Sequence, residues 1–374
     1  MALHYTNNMP TPPDGRRLYI RPVNLVARDS AICQSAATGA YHALAGGWMA
    51  FRAVDVIMRG NVPDEIHVKR CAVDEWLAEA PDKDHAAQML QALTSPRPDF
   101  AGLSMAEPHV MGIVNATPDS FSDGGVNFAA EDGIKNALKM VEEGASILDV
   151  GGESTRPGAE AVARDEEIRR ITPIIEALSK AGHVVSADTR HTSVMAAAAD
   201  AGAPIINDVG GFRDAGAEAL IGTLSGGDEG GYAIAMHMQG TPETMQKNPH
   251  YDFAPLDVYD WLAARIEALR DAGTPLSHIA IDPGFGFGKT PLHNLEIINW
   301  TALFHGLGVP ILIGVSRKSS IAKLSKDEPA DERLGGSLAL ALRSIECGAQ
   351  IIRTHDVAQT AQAMTLQQKT LAAG

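Results

Sequence analysis

From residue 110 onward, short β-branched or apolar runs alternate with longer segments of helical periodicity, a pattern that restricts the chain to βα units around a parallel sheet. Eight runs occur: VMGIVNAT (110–117), SILDVGGES (146–154), VVSAD (184–188), PIINDV (204–209), YAIAMHM (232–238), IAIDPGF (279–285), PILIGVS (310–316) and IIRTHD (351–356). Each begins apolar and ends polar. Between them, stretches such as EDGIKNALKMVEEGA, HTSVMAAAADAGA, YDWLAARIEALRDAG and RLGGSLALALRSIECGA carry apolar residues at helical spacing, with glycine near several ends. Eight such units in a span near the ~250 residues typical of the fold predict a (β/α)8 TIM barrel. A doubly wound open sheet is the structural alternative, and the polar residues separate the two. Asn115, Glu153 to Arg156, Asp188, Asn207 with Asp208, His237, Asp282, Ser316 to Lys318, and Arg353 with His355 terminate different strands. A barrel gathers its site from all its strand ends, whereas an open sheet concentrates it at one switch point.

Residues 1–105 do not share this rhythm. YIRPVNLVA and EIHVKRCAV read as strands, and CAVDEWLAEA and DHAAQMLQALTS as helices, which predicts a small appended N-terminal α/β region. TSPRPDFAGLSMAEP (94–108) has the Pro, Gly and Ser content of a linker, so the barrel is expected to occupy 106–374.

Composition narrows the class of function. Lys and Arg total 31 against 46 Asp and Glu, a formal charge of −15 that repels nucleic acid and anionic membrane surfaces; an anionic substrate must be held by local cations. Cys33, Cys71 and Cys347 are scattered without CxxC spacing, which favours reduced thiols over a disulfide framework or a zinc site. The first residues lack a basic segment followed by an apolar run, and no stretch reaches the roughly 18 apolar residues of a membrane span. A cytoplasmic protein is expected.

Several strand ends carry chemistry. NATPDSFSDGG (115–125) follows a strand with Pro118, Gly124, Gly125 and small hydroxyl residues, a composition suited to a loop closing over a ligand, and Asn115 offers a carbonyl to a metal. RTH places Arg353 and His355 at i and i+2, hence on one face of a strand, where both can meet an anion. GFGFG (284–288) allows close backbone approach around Phe287, and its spacing is neither GxGxxG nor GxxxxGK[ST], so a nucleotide loop is disfavoured.

NATPDSFSDGG, GGESTRPGAE (151–160), ADTRH (187–191), INDVGG (206–211), HMQGTPETMQ (237–246), DPGFGFGK (282–289), SRKS (316–319) and RTHDV (353–357) together resemble, in order, the motifs of the dihydropteroate synthase family. The resemblance covers about 108–374. It implies condensation of 6-hydroxymethyl-dihydropterin pyrophosphate with 4-aminobenzoate, release of pyrophosphate, and Mg²⁺ as cofactor. It further implies that Asp282, Asp188, Asn207, Lys318 and Met238 hold the pterin; that Thr155, Pro157, Phe287 and Ser316 line the aminobenzoate site; and that Asn115, Arg156, Arg353 and His355 meet the pyrophosphate, Asn115 also serving the metal. Lys318, Arg353, His355 and Arg156 are the implied catalytic residues. Ala187 replaces the family's more usual valine, and Ser320 stands where a larger residue is common, which bears on the packing beneath Lys318. Family position also implies a homodimer through SLALALRSIECGA and the C-terminal helix, and inhibition by sulfonamides. A pterin-dependent methyltransferase has no need of the pyrophosphate cations, and a non-catalytic pterin-binding paralogue could lose Arg156, Lys318, Arg353 or His355; this chain keeps all four.

Overall fold

The structure is a computed structural model of the 374-residue chain. It describes all residues except 1, 7–8, 10–16, 36–40, 61–64, 117–124, 155–161, 228–229 and 374, with the side chains of 2, 35 and 125–129 also left undescribed.

The N-terminal region begins with β1 (Ala2–Tyr5), β2 (Leu18–Val23), β3 (Val26–Ala27), α1 (Ala31–Ser35), β4 (His42–Ala43) and β5 (Met49–Phe51). It continues through β6 (Ala53–Arg59), β7 (Glu65–Ala72), α2 (Val73–Glu79) and α3 (Lys83–Thr94). The barrel opens with β8 (His109–Asn115), α4 (Gly125–Glu142), β9 (Ile147–Gly151), α5 (Arg164–Lys180), β10 (Val185–Asp188) and α6 (Thr192–Asp200). Then come β11 (Ile205–Asp208), α7 (Ala217–Ser225), β12 (Tyr232–Met236), α8 (Ala254–Asp271), β13 (Ile279–Asp282) and α9 (Pro291–Asn299). The last elements are β14 (Leu312–Ile313), α10 (Ser319–Leu324), α11 (Leu334–Glu346), β15 (Ile351–Thr354) and α12 (Val357–Ala372).

All eight predicted barrel strands form, in the spatial order β13-β12-β11-β10-β9-β8-β15-β14 with parallel pairing throughout. A parallel bridge between Ile281 and Ile311 closes the ring, so the (β/α)8 barrel is the observed architecture and the open sheet is excluded.

Strand parity explains how apolar runs deliver polar residues to one place. Met111, Ile147, Ile205, Ile234, Ala280, Leu312 and Ile351, near the strand starts, pack as one buried cluster inside the barrel. Side chains two residues on share their face, so Asp149, Asn207, Asp282 and Arg353 rise directly above that apolar floor. The alternate residues, among them Val110, Leu148, Val150, Val185, Ile206, Ile281, Ile313 and Ile352, point outward into the main core beneath the helices. The 94–108 segment, read as a linker, sends Phe100 and Met105 into the floor cluster, both 0% exposed, and the two strands of its turn meet at a Phe100–Leu103 bridge.

In the N-terminal region, YIRPVNLVA and EIHVKRCAV become β2 with β3 and β7, and both predicted helices form. The four-stranded sheet β1-β7-β6-β2 also contains β6, unread in the sequence because its Asp55 interrupts an otherwise apolar run. Asp55 is fully buried and held by Arg21 at 2.5 Å and Arg70 at 2.7 Å, so its charge is paired rather than solvated. A smaller sheet, β3-β5-β4, lies alongside. Tyr19, Ile57, Ile66 and Val68 pack on Phe253, Leu256, Trp300 and Leu303 of the barrel's outer layer. Arg97 reinforces the junction by donating to the His305 carbonyl at 2.8 Å; burial lowers its pKa to about 10.

Candidate active site

Above the apolar floor the interior turns ionic. Arg353, near the end of β15, donates through Nε to Asp149 of β9 and through Nη2 to Asp188 at the end of β10, each at 2.5 Å. The amide of Asn207 on β11 donates to the same Asp149 oxygen at 3.2 Å. Four strand ends, those of β15, β9, β10 and β11, are thereby tied into one network, and three of its members are residues singled out in the sequence. Burial pushes the Asp188 carboxyl above the usual range, against the pull of the Arg353 guanidinium. Asp149 is the network member the sequence reading missed. Its signal was an acidic residue inside the apolar run ILDVGG, two residues beyond floor-lining Ile147.

Asp282 at the end of β13 is buried, and the backbone N–H of Gly284 donates to its Oδ1 at 2.7 Å. Burial raises its pKa, while that hydrogen bond and the nearby Lys318, Lys289 and Arg353 pull it down. Asp282 and Arg353 face common space: a Cβ placed on Gly314 of the neighbouring strand end would lie 3.8 Å from both Asp282 Oδ2 and Arg353 Cβ. The loop after Asp282 folds back so tightly that Gly284 adopts φ +71° and a Cβ there would sit 1.8 Å from the His237 carbonyl. Only glycine fits. Lys289 pins this loop from beneath, its Nζ reaching the carbonyls of Gly284 (2.9 Å) and Phe287 (3.1 Å) and the Nδ1 of His237 (2.9 Å). Burial drives the Lys289 pKa down from 10.5 to about 7. Both Lys289 and His237 lay outside the predicted site; DPGFGFGK contained the lysine, but nothing local to the sequence tied it to HMQ.

Lys318, the residue before α10, extends its ammonium over the Phe287 ring, 4.0 Å from the centroid. Phe287 in turn packs with Val209, Met236, Met238 and Met245, so Met238 supplies an apolar, polarisable wall beside the aromatic one. Ser320 is buried and accepts from the Asn294 amide at 2.8 Å, while Asn294 Oδ1 receives the Gly286 N–H at 2.7 Å. A small hydroxyl therefore links α10 to the glycine loop through hydrogen bonds. Ser316, also buried, accepts the backbone N–H of His355 at 3.1 Å and lies 3.0 Å from its Nδ1. The hydroxyl and Nδ1 share one hydrogen bond, which with the backbone contact fixes the imidazole at the strand end.

Asn115 ends β8 with its side chain exposed at the mouth of the barrel. Thr155, Arg156 and Pro157, together with most of the 115–125 loop, lie outside the described residues. Among the described predictions, Asp188, Asn207, Met238, Asp282, Phe287, Ser316, Lys318, Arg353 and His355 all sit at or just beyond the carboxyl ends of the strands, where a barrel builds its site.

A closed parallel barrel whose mouth combines buried carboxylates, an amide, two cations and an aromatic–thioether wall defines an enzyme that binds a flat, hydrogen-bonding heterocycle. Residues 111–355 match the family model described as pterin binding enzyme. The dihydropteroate synthase of Escherichia coli K12 is 44% identical over 273 residues, covering 72% of this chain and 94% of the relative. That of Neisseria meningitidis serogroup B is 45% identical over 267 residues, covering 70% and 92%. A solved Xanthomonas albilineans dihydropteroate synthase with 4-aminobenzoic acid superposes with a TM-score of 0.69 at 44% identity, covering 75% of this chain and 100% of that one. The same enzyme in complex with 7,8-dihydropteroate gives 0.66 at 41% identity, with the same coverage. The chain belongs to the dihydropteroate synthase family of pterin-binding transferases.

Proposed function

We infer that this chain condenses 6-hydroxymethyl-7,8-dihydropterin pyrophosphate with 4-aminobenzoate to give 7,8-dihydropteroate and pyrophosphate. The observation that carries the reading is the buried Asp282 carboxylate facing the Asp149–Arg353–Asp188 network across the barrel mouth. A 2-amino-4-oxo pterin edge presents adjacent N–H donors, and a buried carboxylate accepting two of them is its natural reader. Asp282 takes that role, Asn207 and Asp188 complete the polar rim, Lys318 donates to ring acceptors, and Met238 packs on the ring face.

Asp188 is engaged by Arg353 in the chain alone. When the pterin draws Asp188 toward its own N–H groups, Arg353 Nη2 is released to the pyrophosphate, so binding of the heterocycle and of the leaving group are coupled. His355 and Arg156 supply further positive character where charge builds on the departing oxygen. The electron-rich pterin then carries the cationic methylene, and the neutral arylamine attacks it. Ser316, Phe287, Thr155 and Pro157 hold the aminobenzoate. No protein nucleophile takes part.

Mg²⁺ suits the oxygen donors present: exposed Asn115 at the mouth, and the buried Asp149 Oδ1, which has no hydrogen-bond partner among the described residues. Asn115 would hold the ion, which keeps most of its waters and supplies charge neutralisation to the pyrophosphate. Catalysis occupies 106–374, which takes part of its floor from Phe100 and Met105. We further propose a cytoplasmic homodimer. No helix of the described residues is long and apolar enough to cross a membrane, the cysteines are free, and Leu366 on α12 is 61% exposed.

The test is an assay of purified protein with the pterin pyrophosphate, 4-aminobenzoate and Mg²⁺. Dihydropteroate formation, suppressed competitively by a sulfonamide, is expected. Pterin binding without product would overturn the reading in favour of a binding paralogue, and methyl transfer from methyltetrahydrofolate would favour the methyltransferase. A monomer by light scattering at micromolar concentration would defeat the dimer.

A further inference from the structure

A second cluster of polar groups lies at the rim, between the loops that follow β9 and β10. Glu153 follows β9, Glu167 lies in the first turn of α5, and His191 is the N-cap residue of α6. Each offers one ligand atom, and these atoms all lie within 4.8 Å of one another. Gly152 permits the arrangement, because a Cβ there would meet Glu167 Cγ at 3.0 Å and Ile171 Cγ2 at 2.9 Å.

Glu167 is the telling member. It is 0% exposed, and neither carboxylate oxygen has a partner at hydrogen-bond geometry among the described residues; the nearby Thr189 hydroxyl favours the charged form against the larger penalty of burial. A buried carboxylate without partners is costly unless a proton or a cation neutralises it. Its neighbours do not supply that charge. Arg190 is committed to Glu153, with Nε at 2.9 Å and Nη2 at 3.2 Å, and Arg170 is directed to Glu166 and the Gly152 carbonyl. His191 Nε2 stands 3.9 Å from Glu153 Oε2, so an imidazole nitrogen faces the two carboxylates.

We propose that Glu153, Glu167 and His191 form a binding site for a small divalent transition cation of the Zn²⁺ type, separate from the Mg²⁺ expected at Asn115. Two carboxylates and one imidazole form a three-ligand set that leaves a fourth position to water, a donor set that suits Zn²⁺ and Co²⁺ better than Mg²⁺. The ion would tie α5 and the start of α6 to Glu153, which also accepts the Val162 N–H at Oε1, 3.3 Å. It would therefore brace the segment that carries Arg156 without touching substrate.

The test uses full-length, chelator-stripped protein with no substrate present. Zn²⁺ is titrated against a chromophoric chelator, and Co²⁺ binding is followed by visible absorption. One equivalent should bind, with Co²⁺ ligand-field bands and no thiolate charge-transfer band, which excludes the three cysteines. Loss of a second-shell partner alone typically weakens a metal site about 10–100-fold, so Glu167→Gln and His191→Ala should each weaken binding at least tenfold, and Asn115→Ala should leave it unchanged. His191 makes no side-chain cap hydrogen bond, so His191→Ala keeps its fold and decides the matter even if Glu167→Gln does not. Absence of stoichiometric binding, equal affinity in His191→Ala, or a thiolate band would each overturn the proposal.

Discussion

Lys289→Met removes one buried amine and nothing of the substrate-facing surface. Methionine matches the length of the lysine stem but leaves the Gly284 and Phe287 carbonyls and His237 Nδ1 without their donor. Each unsatisfied buried acceptor costs about 1–3 kcal/mol. Against this stands relief of the buried charge, since lowering the pKa from 10.5 to about 7 means that the protonated form carries a penalty of about 5 kcal/mol. At neutral pH the two largely offset, leaving a net destabilisation of about 1 kcal/mol for three acceptors at the middle of that range. The pH dependence separates them. The folded pKa lies below the unfolded one, so between pH 7 and 10.5 the unfolded chain binds more protons and the wild type gains stability as pH rises. Methionine cannot titrate. The wild-type advantage should widen by about 2 kcal/mol from pH 7 to pH 9, and shrink as pH falls back toward 7. Urea unfolding followed by tryptophan fluorescence reads this directly, with Trp261 as a local reporter 5.0 Å from the His237 ring. A gap that stays constant with pH would show that Lys289 remains a permanent ammonium and that the burial argument is wrong.

Three further outcomes are expected. Arg353→Met leaves buried Asp149 and half-buried Asp188 without their counter-charge and should lower stability by about 3–5 kcal/mol along with turnover; a variant of wild-type stability would mean that the network is solvated. Gly284→Ala must displace the His237 carbonyl from a Cβ at 1.8 Å, so soluble yield and pterin affinity by calorimetry should both collapse, and an unaffected variant would refute the tight return of the loop. Phe100→Ala opens a cavity in the barrel floor and should cost about 3–5 kcal/mol in urea unfolding; a cost under about 1 kcal/mol, the range of exposed positions, would show that 94–108 behaves as a linker.

Much of this was legible because a parallel barrel writes itself as a repeated apolar-to-polar run. The strand ends carrying Asp188, Asn207, Asp282 and Arg353 could be read one at a time, since each is defined by residues within its own run. What could not be read was which ends meet. Asp149 and Arg353 are 204 residues apart and bonded at 2.5 Å, and Lys289 and His237 are joined only because the glycine loop folds back on the previous strand. Strand β6 was hidden for the converse reason: buried Asp55 makes sense only with Arg21 and Arg70 from the neighbouring strands. Local periodicity reports which face a residue occupies and says nothing about its partner across the fold.

The two-residue step from Ile147 to Asp149, from Ile205 to Asn207 and from Ile351 to Arg353 has a consequence for how such a protein can change over generations. Insertion or loss of one residue within a strand would exchange faces, sending a charge into the helix layer and an isoleucine into the reaction chamber. Strand lengths are thereby frozen, whatever the pressure on catalysis. Room for innovation, including drug evasion, is confined to the connecting segments and to substitutions that keep each position's facing.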